Sequence, residues 1–178
     1  MKIIVTLTAA LLLLTQYASA QFPKVSIPDS EVRQITSTAV AGQTYELHVM
    51  LPARYNESKK SYPVLYLLDS QWDFPLLTSL YGQQYYDGFI PEIVIVGITW
   101  AGPNPGDGRL RARDLVPSSN PSAESGASKF LNFMKGELFP FVEANYRVSN
   151  TNRTLAGCSL GGLFTLYTLY KEPLLFQG

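Results

Sequence analysis

Residues 152–167 read NRTLAGCSLGGLFTLY, and no other stretch of the chain says as much about the fold. Residues 152–157 predict a short strand that enters a turn. The pattern G-x-S-x-G follows at residues 157–161, and this pattern places a serine on a sharp turn between a strand and a helix. Apolar side chains then recur at helical spacing, namely Leu163, Leu166, Tyr167 and Tyr170. A plain turn between a strand and a helix, without a chemical role, is the alternative.

The residue types at this turn suit a nucleophilic hydroxyl group. Gly157 and Gly161 have no Cβ atom, so the strand and the helix can approach each other closely. The serine would lie at a helix N-terminus, where the N–H of Leu160 and the positive end of the helix dipole can stabilise an oxyanion. The turn therefore predicts Ser159 as a nucleophile and Leu160 as one oxyanion donor.

The middle of the chain alternates between strand patterns and a helix pattern. Residues 43–51 alternate apolar and polar side chains, which predicts a half-buried strand near a sheet edge, paired antiparallel with residues 31–38. The runs 63–69 and 92–99 are continuously apolar, as strands covered on both faces are. Residues 73–86 between them have apolar residues at helical spacing, so these three segments predict a βαβ unit with parallel strands.

Two further segments precede the serine turn. Residues 100–126 are rich in Pro, Gly, Ser and Asn, and they predict a long loop. Residues 128–146 predict an amphipathic helix, which Pro140 would kink or divide. The apolar stripe of this helix consists of Phe130, Phe133, Met134, Leu138, Phe141 and Val142.

Three stretches, in this order along the chain, resemble one esterase family of the α/β-hydrolases. Residues 62–69 are similar to the strand before that family's oxyanion loop, residues 129–147 to the helix before its serine turn, and residues 153–167 to the turn itself. The family includes esterase D-like and enterochelin esterase-like enzymes. The resemblance implies a three-layer α/β-hydrolase fold with a mostly parallel sheet and an antiparallel N-terminal edge, incomplete at its C-terminal end.

The same resemblance implies a serine ester hydrolase that acts on a small-molecule ester and needs neither a cofactor nor a metal. Ser159 matches the family's nucleophile, and the N–H of Leu160 matches one oxyanion donor. The second donor would be Ser70 or Gln71, in the loop after the strand at residues 62–69. Many members of the family have glycine where this chain has Ser70.

A charged stretch bears on substrate binding. Residues 111–115 read RARDL and resemble a loop near the family's substrate site, which implies that Arg111 and Arg113 bind substrate. A solvated run of charges is the alternative. The full sequence has 14 basic and 14 acidic residues, so its charge favours neither nucleic acid nor an anionic membrane surface as a partner.

The first twenty residues predict an export signal. Lys2 supplies a positive charge, residues 3–14 are mostly apolar, and residues 18–20 form an A-x-A cleavage site. Because a transmembrane helix needs ~20 apolar residues, we expect cleavage after Ala20 and no anchor in the membrane. The expected product is residues 21–178, the N-terminal part of a single hydrolase domain, in the periplasm or outside the cell. An uncleaved anchor is the alternative.

A catalytic triad needs more than the serine turn. In this fold the acid and the histidine follow the serine, whereas the only histidine here is His48, on the polar face of an early predicted strand. A surface role is the plain expectation for His48, and we expect little esterase activity from this chain alone. Three explanations stay open: the N-terminal part of a longer enzyme, a non-catalytic binding protein with the hydrolase fold, and an adhesion or carbohydrate-binding module with a chance turn.

Overall fold

The computed structural model describes residues 26–120 and 123–178, which form one mixed sheet with helices on both faces. The strands are β1 (Ser30–Thr36), β2 (Thr44–Met50), β3 (Tyr62–Leu67), β4 (Val94–Trp100) and β5 (Val148–Ala156). The helices are α1 (Ser70–Tyr86), α2 (Gly108–Leu115), α3 (Gly126–Phe133), α4 (Phe139–Asn145) and α5 (Leu160–Lys171). A 3₁₀ turn at Tyr55–Glu57 precedes β3, and a π-helical turn at Met134–Leu138 joins α3 to α4. The predicted signal peptide lies outside the described residues.

The strand order in the sheet is β1-β2-β4-β3-β5. The first three of these strands pair antiparallel, and β4, β3 and β5 run parallel to one another. The predicted antiparallel pair and the predicted βαβ unit are both confirmed, and so is the α/β class. Because parallel strands end at the same edge of a sheet, the carboxyl ends of β3 and β5 meet, and the turns that follow them lie side by side.

Burial of the strands follows their sequence patterns. In β2 the apolar residues Tyr45, Leu47 and Val49 are buried on one face, while β4 is buried along its whole length. On one face of the sheet α1 packs Phe74 and Tyr81 against the strands. On the other face, α3, α4 and α5 build a larger core that is rich in aromatic rings.

The prediction of a loop over residues 100–126 is wrong for its middle part, which forms α2. The Asp107 carboxylate caps this helix by accepting a hydrogen bond of 2.8 Å from the N–H of Arg109. The buried side of α2 contains a carboxylate, Asp114, beside Leu115. Hydrogen bonds and charge, as well as apolar contacts, hold this side of the helix. The sequence of α2 therefore lacks the apolar periodicity from which a helix is predicted.

The predicted helix at residues 128–146 is confirmed, with a change of pitch before Pro140. Proline has no N–H to donate to the C=O of Gly136, and the π-helical turn Met134–Leu138 spans this position. Five of the six stripe residues are buried and Phe141 is partly buried. Among the described helices, none combines the length and apolarity that a bilayer crossing requires.

The helix after the serine turn is confirmed, but its apolar stripe is not its buried side. Leu163, Leu166 and Tyr170 are exposed, whereas Phe164 and Thr168 are buried. The ring of Phe164 packs edge-to-face on that of Phe130, 5.1 Å away. Contact with α3 therefore selects the buried side of α5.

Candidate active site

The turn between β5 and α5 holds Ser159 in a backbone conformation that few residues adopt. Its φ is 55° and its ψ is −117°. Among the described non-glycine residues, only Asp29 and Asp69 also have positive φ. A residue with a Cβ atom pays about 1–3 kcal/mol in such a region, so the surrounding structure must impose the conformation.

The glycines of G-x-S-x-G make this turn possible. A Cβ atom on Gly157 would lie 2.6 Å from the carbonyl carbon of Gly161, and backbone cannot yield there. A Cβ atom on Gly161 would lie 3.3 Å from the carboxylate oxygen Oδ2 of Asp69. The turn therefore closes only with glycine at position 157, and position 161 faces the end of β3.

Backbone hydrogen bonds hold the Ser159 turn at the start of α5. The N–H of Gly161 donates to the C=O of Cys158 over 2.9 Å, and the N–H of Leu163 donates to the C=O of Ser159 over 3.0 Å. The N–H of Leu160 precedes these bonds at the start of α5, where N–H groups have no acceptor within the helix. Such an N–H can donate to a ligand oxygen.

A second turn lies beside the first, between β3 and α1. Its residue Asp69 has left-handed backbone angles, φ 56° and ψ 39°, and its C=O accepts hydrogen bonds from the first turn of α1. The N–H groups of Ser70 and Gln71 come at the very start of α1. The N–H of Leu68 donates to the C=O of Ala156 over 2.9 Å, which ties the two turns together.

Arg111 binds the buried carboxylate of this second turn. Its Nε and Nη2 donate to the two oxygens of Asp69 over 2.6 and 2.8 Å, and the Asp69 side chain is only 3% exposed. The hydrogen bond to Asp69 raises the pKa of Arg111. The guanidinium also lies over the exposed indole ring of Trp72, 5.0 Å from its centroid. Arg111 is thus next to the candidate site, and its role in binding substrate stays a prediction.

Arg113 binds a different buried carboxylate. It donates to both oxygens of Asp114, over 2.6 and 2.8 Å, and to Gln43. Asp114 is fully buried and also accepts hydrogen bonds from Tyr45 and Trp100; burial and this carboxylate raise the pKa of Tyr45. Residues 111–115 are therefore not a solvated run of charges. A role for Arg113 in substrate binding stays a prediction.

His48 is too far from Ser159 to act on it. Three strand spacings separate β2 from β5, which amounts to about 14 Å. Both ring nitrogens are occupied: Nδ1 lies 2.8 Å from the Oγ of Ser70, and Nε2 lies 3.2 Å from the Oε1 of Glu46. The expectation of a plain surface histidine is wrong, because the start of α1 covers this part of β2. Sequence alternation could place His48 on the polar face but could not reveal that cover.

The two adjacent turns place the first N–H groups of α1 and α5 beside the turn that carries Ser159. A neutral hydroxyl becomes a good nucleophile when a base accepts its proton, and the described residues bring no histidine to Ser159. Cys158, beside it, has an exposed free thiol. Within residues 26–120 and 123–178, no three metal-binding side chains cluster as a metal site.

Comparison with known proteins gives concordant matches. A family model described as Putative esterase matches residues 37–178. Ferri-bacillibactin esterase BesA from Bacillus subtilis is 31% identical over 170 residues, which cover 85% of this chain and 57% of that protein. The crystal structure of the BES protein from Bacillus cereus has a TM-score of 0.76 at 25% identity, covering 89% of this chain and 64% of its own. An IroE-like serine hydrolase from Shewanella oneidensis has a TM-score of 0.67 at 31% identity, covering 83% and 48%.

The chain spans less than two thirds of the length of each of these three proteins. The family match includes the strands from β2 to β5, both turns and α5. The chain therefore belongs to the Putative esterase family of α/β-hydrolases.

Proposed function

We propose that Ser159 is the nucleophile of a carboxylic-ester hydrolase. Its Oγ attacks the ester carbonyl carbon while a base takes the hydroxyl proton, and a tetrahedral oxyanion forms. The C–O bond to the alcohol then breaks, the alcohol leaves with a proton, and an acyl group stays on Ser159. Water attacks this acyl-enzyme, releases the carboxylic acid and restores the hydroxyl.

The conformation of Ser159 is the observation that carries this proposal. Ser159 has a φ of 55°, a backbone conformation in which glycine would have a lower steric energy than a residue with a side chain. Glycine stands at positions 157, 161 and 162, whereas position 159, with its positive φ, carries a serine, which indicates that the hydroxyl has a use. Backbone strain of this kind clusters at active sites.

The oxyanion would be held between the two turns. The N–H of Leu160 supplies one hydrogen bond, and the N–H of Ser70 or Gln71 supplies the other. Loss of one such donor typically slows an acyl transfer by about 10²–10³-fold. The close approach of Asp69 to Gly161 supports this assignment. A Cβ atom on Gly161 would lie 3.3 Å from the Asp69 carboxylate, so the start of α1 lies near the start of α5.

The substrate would be a small-molecule ester. BesA is named as an esterase of ferri-bacillibactin, and we propose the broader class of small-molecule esters for this chain. The general base and acid would come from a part of the hydrolase domain outside this chain, because the relatives are longer. Residues 1–20 would direct export, and the domain would work in the periplasm or outside the cell.

A non-catalytic binding protein with this fold is the second candidate. The distance of His48 from Ser159 favours it, because the only histidine of the chain cannot serve as the base. Such a protein would keep its biological effect after Ser159→Ala, whereas an esterase would lose it.

Covalent capture of the serine tests the proposed function. The purified chain is incubated with a fluorophosphonate, and the adduct is mapped by peptide mass spectrometry. We expect one adduct, on Ser159, which forms slowly because the oxyanion donors act without a base. This adduct is absent after heat denaturation and in Ser159→Ala. The matched control, Ser61→Ala, changes an exposed serine outside the turn and should keep the adduct. Equal labelling of Ser159→Ala and the unchanged chain would refute the proposal.

A further inference from the structure

The side chain of Ser70 fills a notch that glycine leaves in the sheet. A Cβ atom on Gly97 of β4 would lie only 2.1 Å from the Oγ of Ser70 and 2.7 Å from its Cβ. Gly97 pairs directly with His48 of β2 in the sheet register. Ser70, at the start of α1, therefore packs over β4 beside the only histidine, and it is 1% exposed.

Two hydrogen bonds link the side chains of Glu46, His48 and Ser70. The Oε1 of Glu46 lies 3.2 Å from the Nε2 of His48, and the Nδ1 of His48 lies 2.8 Å from the Oγ of Ser70. Because a carboxylate only accepts, Nε2 carries the proton that bonds to Glu46. In the neutral ring, Nδ1 then accepts a hydrogen bond from the Ser70 hydroxyl group. Gln34 also donates to Glu46 over 3.1 Å, and the His48 ring packs edge-on against Phe74. Other residues therefore hold this hydrogen-bonded series in place: Gln34 at Glu46, and Phe74 at the His48 ring.

We propose that His48 is a positioning residue for ester hydrolysis, which holds the Ser70–Gln71 turn so that its N–H groups point at the oxyanion. This inference rests on the proposed function of Ser159. Ser70 begins α1, so a hydrogen bond to its side chain constrains the backbone that carries both candidate donors. Arg111 binds Asp69, the preceding residue, and the turn is therefore held by side chains at two consecutive positions.

The Ser70 side chain is buried at the start of α1. Its hydroxyl is enclosed and cannot reach an ester carbonyl. The hydrogen bonds from Glu46 through His48 to Ser70 therefore act on the backbone of the turn and do not activate Ser70 as a nucleophile. A displacement of about 1 Å at a catalytic group can slow a reaction by about 100-fold. Loss of the His48 bond should therefore lower the rate at which Ser159 reacts and leave ligand binding unchanged.

The test separates the rate of reaction from binding. The fluorophosphonate reaction at Ser159 is measured as a maximal rate and a half-saturation concentration. His48→Leu should lower the maximal rate by about 10–100-fold and leave the half-saturation concentration within about 2-fold. His48→Asn, whose amide oxygen can accept a hydrogen bond from the Ser70 hydroxyl group, should recover most of the rate. Thr44→Ala, on the same face of β2, is the matched control and should react normally.

Two further measurements keep the inference open to refutation. Ser70→Ala should lose as much rate as His48→Leu, and the double variant should lose no more than either single one. Equal rates in His48→Leu and the unchanged chain, or a failure of His48→Asn to recover the rate, would overturn the inference. An adduct on Ser70 would also overturn it, because the histidine would then activate Ser70 itself.

If Ser159 does not react at all in the unchanged chain, the proposed function fails, and amide hydrogen exchange decides the inference by itself. His48→Leu should then speed exchange at Ser70 and Gln71 by at least about 10-fold while β4 keeps its protection. Unchanged exchange at both amides would refute the positioning role.

Discussion

Glycine at position 159 should make the chain more stable than alanine at the same position. Both substitutions remove the hydroxyl, so its contacts drop out of the comparison. The difference that remains is a Cβ atom on a backbone with φ 55° and ψ −117°. Glycine adopts positive φ without a steric cost, whereas alanine keeps the strain that Ser159 has in the native chain.

The size of the effect follows from two opposing terms. Relief of the strain favours glycine by about 1–3 kcal/mol. The greater freedom of glycine in the unfolded chain offsets about 0.5–1 kcal/mol of this gain. From the middle of the two ranges, Ser159→Gly should therefore exceed Ser159→Ala in free energy of unfolding by roughly 1 kcal/mol. For a domain of this size, the difference corresponds to about 2–4 °C in melting temperature.

Urea unfolding followed by circular dichroism gives the free energies, and thermal unfolding checks their order. Ser61 supplies the matched control pair, because it is exposed and is not one of the positive-φ positions. There the glycine variant should be the less stable of the two. If alanine equals or exceeds glycine in stability at position 159, the strain argument fails, and so does the observation that carries the proposed function.

Three other predictions concern charge and activity. Arg111→Met should lower the free energy of unfolding in urea by about 3–5 kcal/mol, since the Asp69 carboxylate would stay buried without its partner; Arg111→Lys should lose less, and equal losses would contradict the paired geometry. Burial opposes the charge of Glu137, but hydrogen bonds from Thr38 and Ala39 outweigh it and hold its pKa below the ordinary value. The ionised form thus adds stability above about pH 4.5, which is lost as pH falls through the lower folded pKa, so the urea midpoints of Glu137→Gln and the unchanged chain should converge on acidification. The purified chain should hydrolyse p-nitrophenyl acetate at close to the uncatalysed rate, and strong turnover that disappears in Ser159→Ala would show that a base is present after all.

Sequence patterns predicted those parts of the fold that apolar contacts build. The continuous apolar runs became β3 and β4, and the alternation at residues 43–51 became β2 with the expected face buried. The helix α2 was not predicted because Asp114, one of its buried residues, is held by hydrogen bonds from Tyr45 and Trp100 on two strands of the sheet. Polar burial of this kind leaves no periodic signal in a single sequence.

In the candidate site too, the sequence predicted the local motif but not the contacts between distant segments. A local motif was enough to place Ser159 and Leu160 at the junction of a strand and a helix. The bond between Arg111 and Asp69 and the bond between His48 and Ser70 depend on strand order, which joins distant segments. Sequence spacing carries no information on such contacts until the sheet order is known.

The single cysteine gives this protein a built-in site for a spectroscopic label. Cys158 is the only thiol in the sequence, its side chain is exposed, and Ser159 follows it directly. A maleimide fluorophore or nitroxide would attach at one position, without mutagenesis to remove competing thiols. Its signal would report on how rigid the serine turn is, and on whether small molecules approach it, even in a chain with no measurable turnover.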